Sequence, residues 1–227
     1  MGVHKLLGPL RPLVTPVVDA ASRRRLARCV NVADLRIAAE KRMHRMCFGY
    51  LDSGADDEAT LRRSKDAFLE RELHYRVLAG TRPETLSASA TLMGSDLALP
   101  LLRAPCAAGN RMFHAEGEVA AAAVARERGA STASRRSRPG HGHRQGAGPG
   151  ASAVGVGKPF LYGLGAGGKA GVDKCFDVLD AELRTCMGLL GVRTVAELRE
   201  HGGDLVRRRH PSFRDAQGAR YAPGGLC

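Results

Sequence analysis

Ala153-Val154-Gly155-Val156-Gly157-Lys158-Pro159-Phe160-Leu161-Tyr162-Gly163-Leu164 begins as an apolar run, short enough for a buried parallel strand, and halts at a Gly-Lys-Pro turn. Further on, Val172, Cys175, Phe176, Leu179, Leu183, Cys186, Met187 and Leu190 recur at helical spacing until Gly191 stops the pattern. Strand, glycine turn and helix together present backbone N–H groups to a phosphate, and Lys158 adds a point charge at that turn.

The chain has 227 residues, ordinary apolar content, few aromatic residues and no Trp. That length suits one large domain or two small ones, and no apolar run is long enough to span a membrane. The net charge of +12 is concentrated in two places. Residues 1–45 hold ten Lys/Arg against three acids, and residues 131–150 hold four Arg and no acid. Neither stretch interleaves aromatic residues that could stack on bases, which argues against a nucleic-acid-binding module. Cys29, Cys47, Cys106, Cys175, Cys186 and Cys227 form no CxxC pair. Neither a zinc module nor a secreted disulfide framework is expected, and reduced thiols point to an intracellular protein, cytoplasmic or mitochondrial.

Residues 1–30 are Arg-rich and acid-poor, like an organelle presequence or a disordered basic arm. Asn31 is a good N-cap, and Leu35, Ala38, Ala39, Arg42, Met43 and Met46 follow at helical spacing. The pattern breaks at Ser53-Gly54 and resumes with Leu61, Ala67 and Phe68, after which Arg76-Val77-Leu78 reads as extended. "TLMGSDLALPLLRAPC" gives two strand-like runs, and Glu116 opens an Ala- and Val-rich helix that Gly129 closes. Thr194 and Glu197 form a capping box for a short helix reaching about Glu200.

"FGYLDSGADDEATLRR", "LALPLLRAPCA", "HAEGEVAAAAVARERGA" and "AVGVGKPFLYGLGAGGKAGV" resemble, in the same order, the FMN-dependent α-hydroxy acid dehydrogenase/oxidase family, over roughly residues 31–134 and 151–200. The resemblance implies a (β/α)₈ TIM barrel, FMN as cofactor and a small 2-hydroxy acid such as lactate as substrate. It sets Gly157 and Lys158 at the flavin phosphate, where Lys replaces the family's Arg. It sets Pro105, Cys106 and Ala107 along the flavin ring, where Cys replaces Thr, and Tyr50 at the substrate. Ser131, Thr132 and Ser134 fall near a further flavin-facing segment without a fixed register.

Residues 135–150, "RRSRPGHGHRQGAGPG", have no periodicity and no apolar face. The family places most of its barrel here. A βα unit takes about 30 residues and a whole barrel about 250, so this bridge cannot replace the central units. The expected fold is therefore α/β, an incomplete (β/α)₈ barrel that lacks most central βα units. Its parts are a basic arm (1–30), N-terminal helices with the first barrel unit (31–134), the bridge (135–150), the last barrel strand with the phosphate turn and C-terminal helices (151–200), and a loose tail (201–227).

Two readings of the bridge stay open. His141-Gly142-His143-Arg144-Gln145 resembles the family's His-Gly-Gly-Arg-Gln loop, which carries the catalytic base and the carboxylate-binding Arg, but Gly155 follows too soon after it. Alternatively, codons for Gln145–Gly150 read one nucleotide later can spell Arg-Ala-Leu-Ala-Leu-Gly, the helix that the family places before the "AVGVG" strand. The spacing favours the frame slip, and no catalytic base is assigned. A second class of function, an NAD(P)-binding enzyme, would use the GxGxxG match at Gly163–Gly168, which needs those glycines to open a helix directly from a strand.

Overall fold

The computed structural model describes residues 20–104, 106, 110–132 and 153–208. The bridge and the first nineteen residues lie outside them. Four helices open the described chain: α1 (Ala20–Ala27), α2 (Val32–Glu40), α3 (Arg45–Asp52) and α4 (Ala59–Leu69). Asn31 caps α2 as expected, its Oδ1 accepting from the Asp34 N–H at 2.8 Å. The helical spacing that runs on to Met46 is interrupted, because α2 ends at Glu40 and α3 restarts at Arg45 behind the cap His44.

A parallel sheet lies at the centre, with β4 (Leu101–Arg103) between β5 (Ser131–Thr132) and β6 (Val154–Val156). Leu101, Leu102 and Arg103 stand opposite Val154, Gly155 and Val156, while Leu102 and Arg103 stand opposite Ser131 and Thr132. The short α5 (Asn110–Phe113) and then α6 (Gly117–Glu127) join β4 to β5, the strand–helix–strand order that makes parallel pairing possible. Ahead of β4, β2 (Ala90–Leu92) and β3 (Ser95–Leu97) form a hairpin turning through Met93 and Gly94, both at positive φ.

The long C-terminal helix α7 (Lys158–Leu190) is two helices joined at a kink, where Gly167 and Gly168 leave helical geometry. Gly168 takes φ +57°, and a side chain there would also meet the His114 ring at 2.5 Å. Both facts require glycine. The second half starts with a substitute cap, since Glu116 Oε2 accepts the Lys169 N–H at 2.8 Å. Arg128 at the end of α6 then bridges Asp173 and Asp177. Gly191 stops α7 as expected, in the left-handed region. The main core gathers Leu35, Ala39, Phe48, Leu101, Val124, Phe160, Val172 and Phe176 around both halves of α7.

Three expectations change. Residues 20–30 are not an irregular arm: α1 forms there, and Leu26 and Cys29 are buried. The apolar pair in this basic stretch supplies the driving force that its Arg content obscures. The tail does not begin at residue 201, because α8 (Val195–Leu205) continues past Glu200, and β7 (Val206–Arg208) pairs antiparallel with β1 (Arg71–Leu73). The extended segment sits at Arg71–Leu73 rather than at Arg76–Leu78, where Leu78 turns at φ +59°. The helix expected to carry Leu61, Ala67 and Phe68 forms as α4, although it buries none of its residues and Phe68 is 79% exposed.

Candidate functional site

The C-terminal ends of β4 and β6 meet at the Gly157-Lys158 turn. The Ala104 N–H donates to the Val156 carbonyl at 2.9 Å, and a Cβ on Gly157 would lie 4.0 Å from the Ala104 Cβ. Gly157 and the strand end leading to Cys106 are therefore neighbours. Cys106 is half-buried, and burial pushes its thiol up, partly opposed by the Arg103 charge. This keeps it a thiol rather than a nucleophilic thiolate. Pro105 and Ala107 lie outside the described residues. Tyr50, on the last turn of α3, is 71% exposed and stacks on Phe113 with ring centroids 6.4 Å apart.

Lys158 is engaged with the protein itself. Its ammonium donates to the carbonyls of Asp52 and Ser53, each at 3.0 Å, and so caps the C-terminus of α3. A cation at a helix C-terminus also offsets the negative end of the helix dipole. The Asp52 carboxylate, absent from the sequence reading, is the hub beneath this contact. It accepts two hydrogen bonds from Arg36 at 2.7 and 2.6 Å and one from the Tyr162 hydroxyl at 2.8 Å. One residue thus ties together α2, α3 and both of the first two turns of α7. Sequence offered a weak signal for it: Asp52 sits beside the Ser53-Gly54 break, and Tyr162 is the lone hydroxyl in an apolar run.

Arg36 beside it holds the Asp52 carboxyl below its ordinary value of 3.8, with burial opposing and the Tyr162 hydroxyl helping. Burial likewise holds the His114 imidazole below its ordinary 6.5, partly offset by Glu116. Both groups bind protons more readily in the unfolded chain, so both favour folding at higher pH. The His114 contribution is complete above pH 6.5 and is lost as pH falls through its folded pKa; the Asp52 contribution is complete above 3.8 and is lost below it. Urea midpoints measured from pH 7 down to pH 3 should fall in two steps. His114→Gln should remove the upper step and leave the lower one.

The model of the FMN-dependent dehydrogenases matches residues 39–137 and 146–204, most of the chain. This chain belongs to the FMN-dependent dehydrogenase family. Among its relatives, it is 41% identical over 100 residues to an L-lactate oxidase of Lacticaseibacillus rhamnosus, covering 44% of this chain and 26% of that protein. It is 35% identical over 96 residues to a peroxisomal (S)-2-hydroxy-acid oxidase of rice, Oryza sativa subsp. indica, covering 42% and 25%. The chain thus spans about a quarter of the length of these curated relatives. Its fold resembles a solved mandelate oxidase (TM-score 0.65, 17% identity, 80% of this chain and 99% of that one). It also resembles a soluble mutant of the (S)-mandelate dehydrogenase from Pseudomonas putida (TM-score 0.66, 15% identity, 79% and 99%). At these identities the likeness is one of fold alone, so the described sheet and helices share the TIM-barrel fold class of those enzymes.

FMN is the cofactor of this FMN-dependent dehydrogenase family, and the turn has donors suited to a phosphate. Lys158 opens α7, where an α-helix leaves its first amides without intrahelical partners. Its ammonium has three donors, of which α3 takes two. The glycine run Gly163–Gly168 does not open from a strand; it lies buried inside α7, beginning more than a turn beyond its start. That position removes the geometry on which the NAD(P) reading depended. The His141–Gln145 segment lies outside the described residues. Among the described residues no helix is long and apolar enough to cross a membrane, and no group of His, Cys, Asp and Glu could hold a metal ion.

Proposed function

We propose that this FMN-dependent dehydrogenase chain descends from an enzyme that oxidises a small 2-hydroxy acid to the 2-oxo acid, and that it keeps the flavin grip without the catalytic base. The observation that supports this most directly is the juxtaposition of the Gly157-Lys158 turn with the end of β4. Backbone amides at Gly157 and Lys158, with the remaining Lys158 donor, would hold the phosphate. The Pro105–Ala107 segment would lie along the ring, and Tyr50, exposed at the end of α3, would bind the substrate. FMN when bound supplies the acceptor for the two electrons leaving the α-carbon.

The barrel is incomplete in this reading. Only residues 133–153 separate β5 from β6, too few for one βα unit of about 30 residues. The loops that carry a base and complete the substrate pocket on a full barrel come from several strands, and the stretch between β5 and β6 has no room for the central ones. The free thiols of Cys29, Cys47, Cys106, Cys175 and Cys186 suit a reducing interior, cytoplasmic or mitochondrial. In an FMN titration the purified chain should quench flavin fluorescence and retain yellow absorbance through gel filtration. Incubated with L-lactate, glycolate or mandelate and an artificial electron acceptor, it should show no turnover. Turnover would place a functioning base in the chain, whereas failure to retain FMN would remove the flavin grip itself.

A further inference from the structure

His114 follows α5, is only 4% exposed, and packs against the kink of α7. A Cβ on Gly168 would lie 2.5 Å from its Cε1 and 2.8 Å from its Nε2, so that edge of the ring faces the residue where the two halves of α7 join. Its Nδ1 accepts the Glu116 N–H at 3.2 Å, which leaves the proton of the neutral ring on Nε2. Nε2 is buried and has no hydrogen-bond partner among the described residues. Beside the ring, one carboxylate oxygen stands between two groups. Glu116 Oε2 accepts the Lys169 N–H at 2.8 Å, the cap on the second half of α7, and lies 3.7 Å from His114 Nδ1. With Nδ1 unprotonated both atoms are acceptors, so no bond joins them and the carboxylate stays on α7. A proton on Nδ1 reverses both relations. Nδ1 can no longer accept the Glu116 N–H, and it becomes a charged donor facing a carboxylate. The ring is buried, whereas the Glu116 side chain is half exposed, so the carboxylate is the partner that moves.

We propose that His114 and Glu116 form a pH-operated latch on the α7 kink: with His114 neutral, the Glu116 carboxylate caps the second half of α7, and with His114 protonated it turns to the imidazolium and gives up the Lys169 N–H. Burial holds the imidazole below its ordinary 6.5, so the latch is closed at pH 7 and opens as pH falls through that lowered value. Glu116 favours the proton and Arg42, beyond α2, opposes it, while Arg42 itself donates to the Ser22 hydroxyl of α1 at 2.9 Å. From α7, the Lys169 ammonium is held by Glu127 of α6 at 2.8 Å. α5 adds Arg111, whose side chain lies against Gly117, and α3 meets α5 through the Tyr50–Phe113 ring pair. The first half of α7 carries the Gly157-Lys158 turn, and the second carries Val172, Cys175 and Phe176 into the core. The latch therefore sits on the joint between turn and core. The crossing of Gly163 and Gly171 is separate from it, so opening the latch loosens the joint without parting the two halves. The inference goes beyond the flavin reading, and its test needs no flavin.

Amide exchange followed by NMR on the full chain, from pH 7.5 down to pH 5 and corrected for the intrinsic pH dependence of exchange, reads the latch directly. The ring nitrogen shifts of His114 give its protonation in the same samples. Leu183, farther along the same helix, reports opening of the whole chain, so the result is the ratio of Lys169 protection to Leu183 protection. In the wild type that ratio should fall by about tenfold as His114 takes its proton, the loss of one hydrogen bond to a charged group. Glu116→Gln keeps an acceptor for the Lys169 N–H but removes the charge that draws it to the imidazolium, so its ratio should stay level. His114→Gln should stay level as well. The proposal fails if the wild-type ratio is constant while the ring titrates, or if Glu116→Gln loses protection over the same pH range as the wild type. It fails equally if the chain unfolds before His114 is protonated, since a latch that never opens in the folded protein is no latch.

Discussion

Gly171→Ala should be among the most damaging single-methyl additions in this protein, costing about 3 kcal/mol or more, at the upper end of overpacking penalties. A Cβ on Gly171 would run into the carbonyl oxygen of Gly163 and lie 2.8 Å from its carbonyl carbon, and a Cβ on Gly163 would meet the Gly171 carbonyl in turn. The obstruction on each side is backbone, which cannot rotate aside as a side chain could. The two halves of α7 fold against each other at the Gly167–Gly168 kink, and this glycine pair is where they touch. Opening the contact by an ångström would also shift Val172, Cys175 and Phe176, all buried at 1% exposure or less. For a chain of this size the loss corresponds to a fall of roughly 6–12 °C in melting temperature. Gly155→Ala is the matched control: nothing lies within 4 Å of a Cβ there, so its effect should stay within about 0.5 kcal/mol. Thermal melts of the two variants against the parent decide the matter, and equal melting temperatures would mean that the kink adapts.

The kink also shows what sequence conveys and what it withholds. The stripe from Val172 to Leu190 and its stop at Gly191 are local patterns with the period of a helix, and the structure follows them. The glycines between Gly163 and Gly171 carry no period, so their reason becomes visible only when two helix segments cross at backbone contact. α1 was obscured in another way: three exposed arginines dominate its composition, while the burial of Leu26 and Cys29 depends on α7, more than a hundred residues away. α4 follows its spacing as a helix, yet Leu61, Ala67 and Phe68 are covered by nothing in the described structure, which periodicity alone does not tell.

At the candidate site, the turn and the strand end were legible because each is a short motif whose neighbours in sequence are its neighbours in space. Lys158 was legible as a charge but not as a cap, since its partners Asp52 and Ser53 lie 106 and 105 residues away. His114 escaped notice for a related reason. It reads as a loop residue ahead of α6, and only the kink of α7 makes it a buried ring against Gly168.

Phe176→Ala should cost about 3–5 kcal/mol, the usual range for truncating a fully buried phenylalanine, and its effect should reach the phosphate turn. Phe176 is 1% exposed and belongs to the second half of α7. Its ring lies 4.8 Å from that of Phe160, tilted by 41°, a geometry that adds roughly 0.5–1.5 kcal/mol beyond area burial. Phe160 stands in the first turn of α7, two residues past Lys158, and its N–H returns to the Gly157 carbonyl at 3.1 Å. The ring pair therefore anchors the turn to the half of the helix that forms the core. Removing one ring leaves a cavity beneath Phe160, and the first turn loses the packing that fixes its amides. Phe176→Leu fills most of that volume and should recover much of the stability. Two readouts on the same variants separate fold from site: urea midpoints should rank wild type above Leu above Ala. The FMN-induced melting shift should follow that order, while amide exchange at residues 158–162 should speed up in the reverse order. An FMN shift that survives Phe176→Ala undiminished would mean that the turn is held by the Asp52 hub and not by the core.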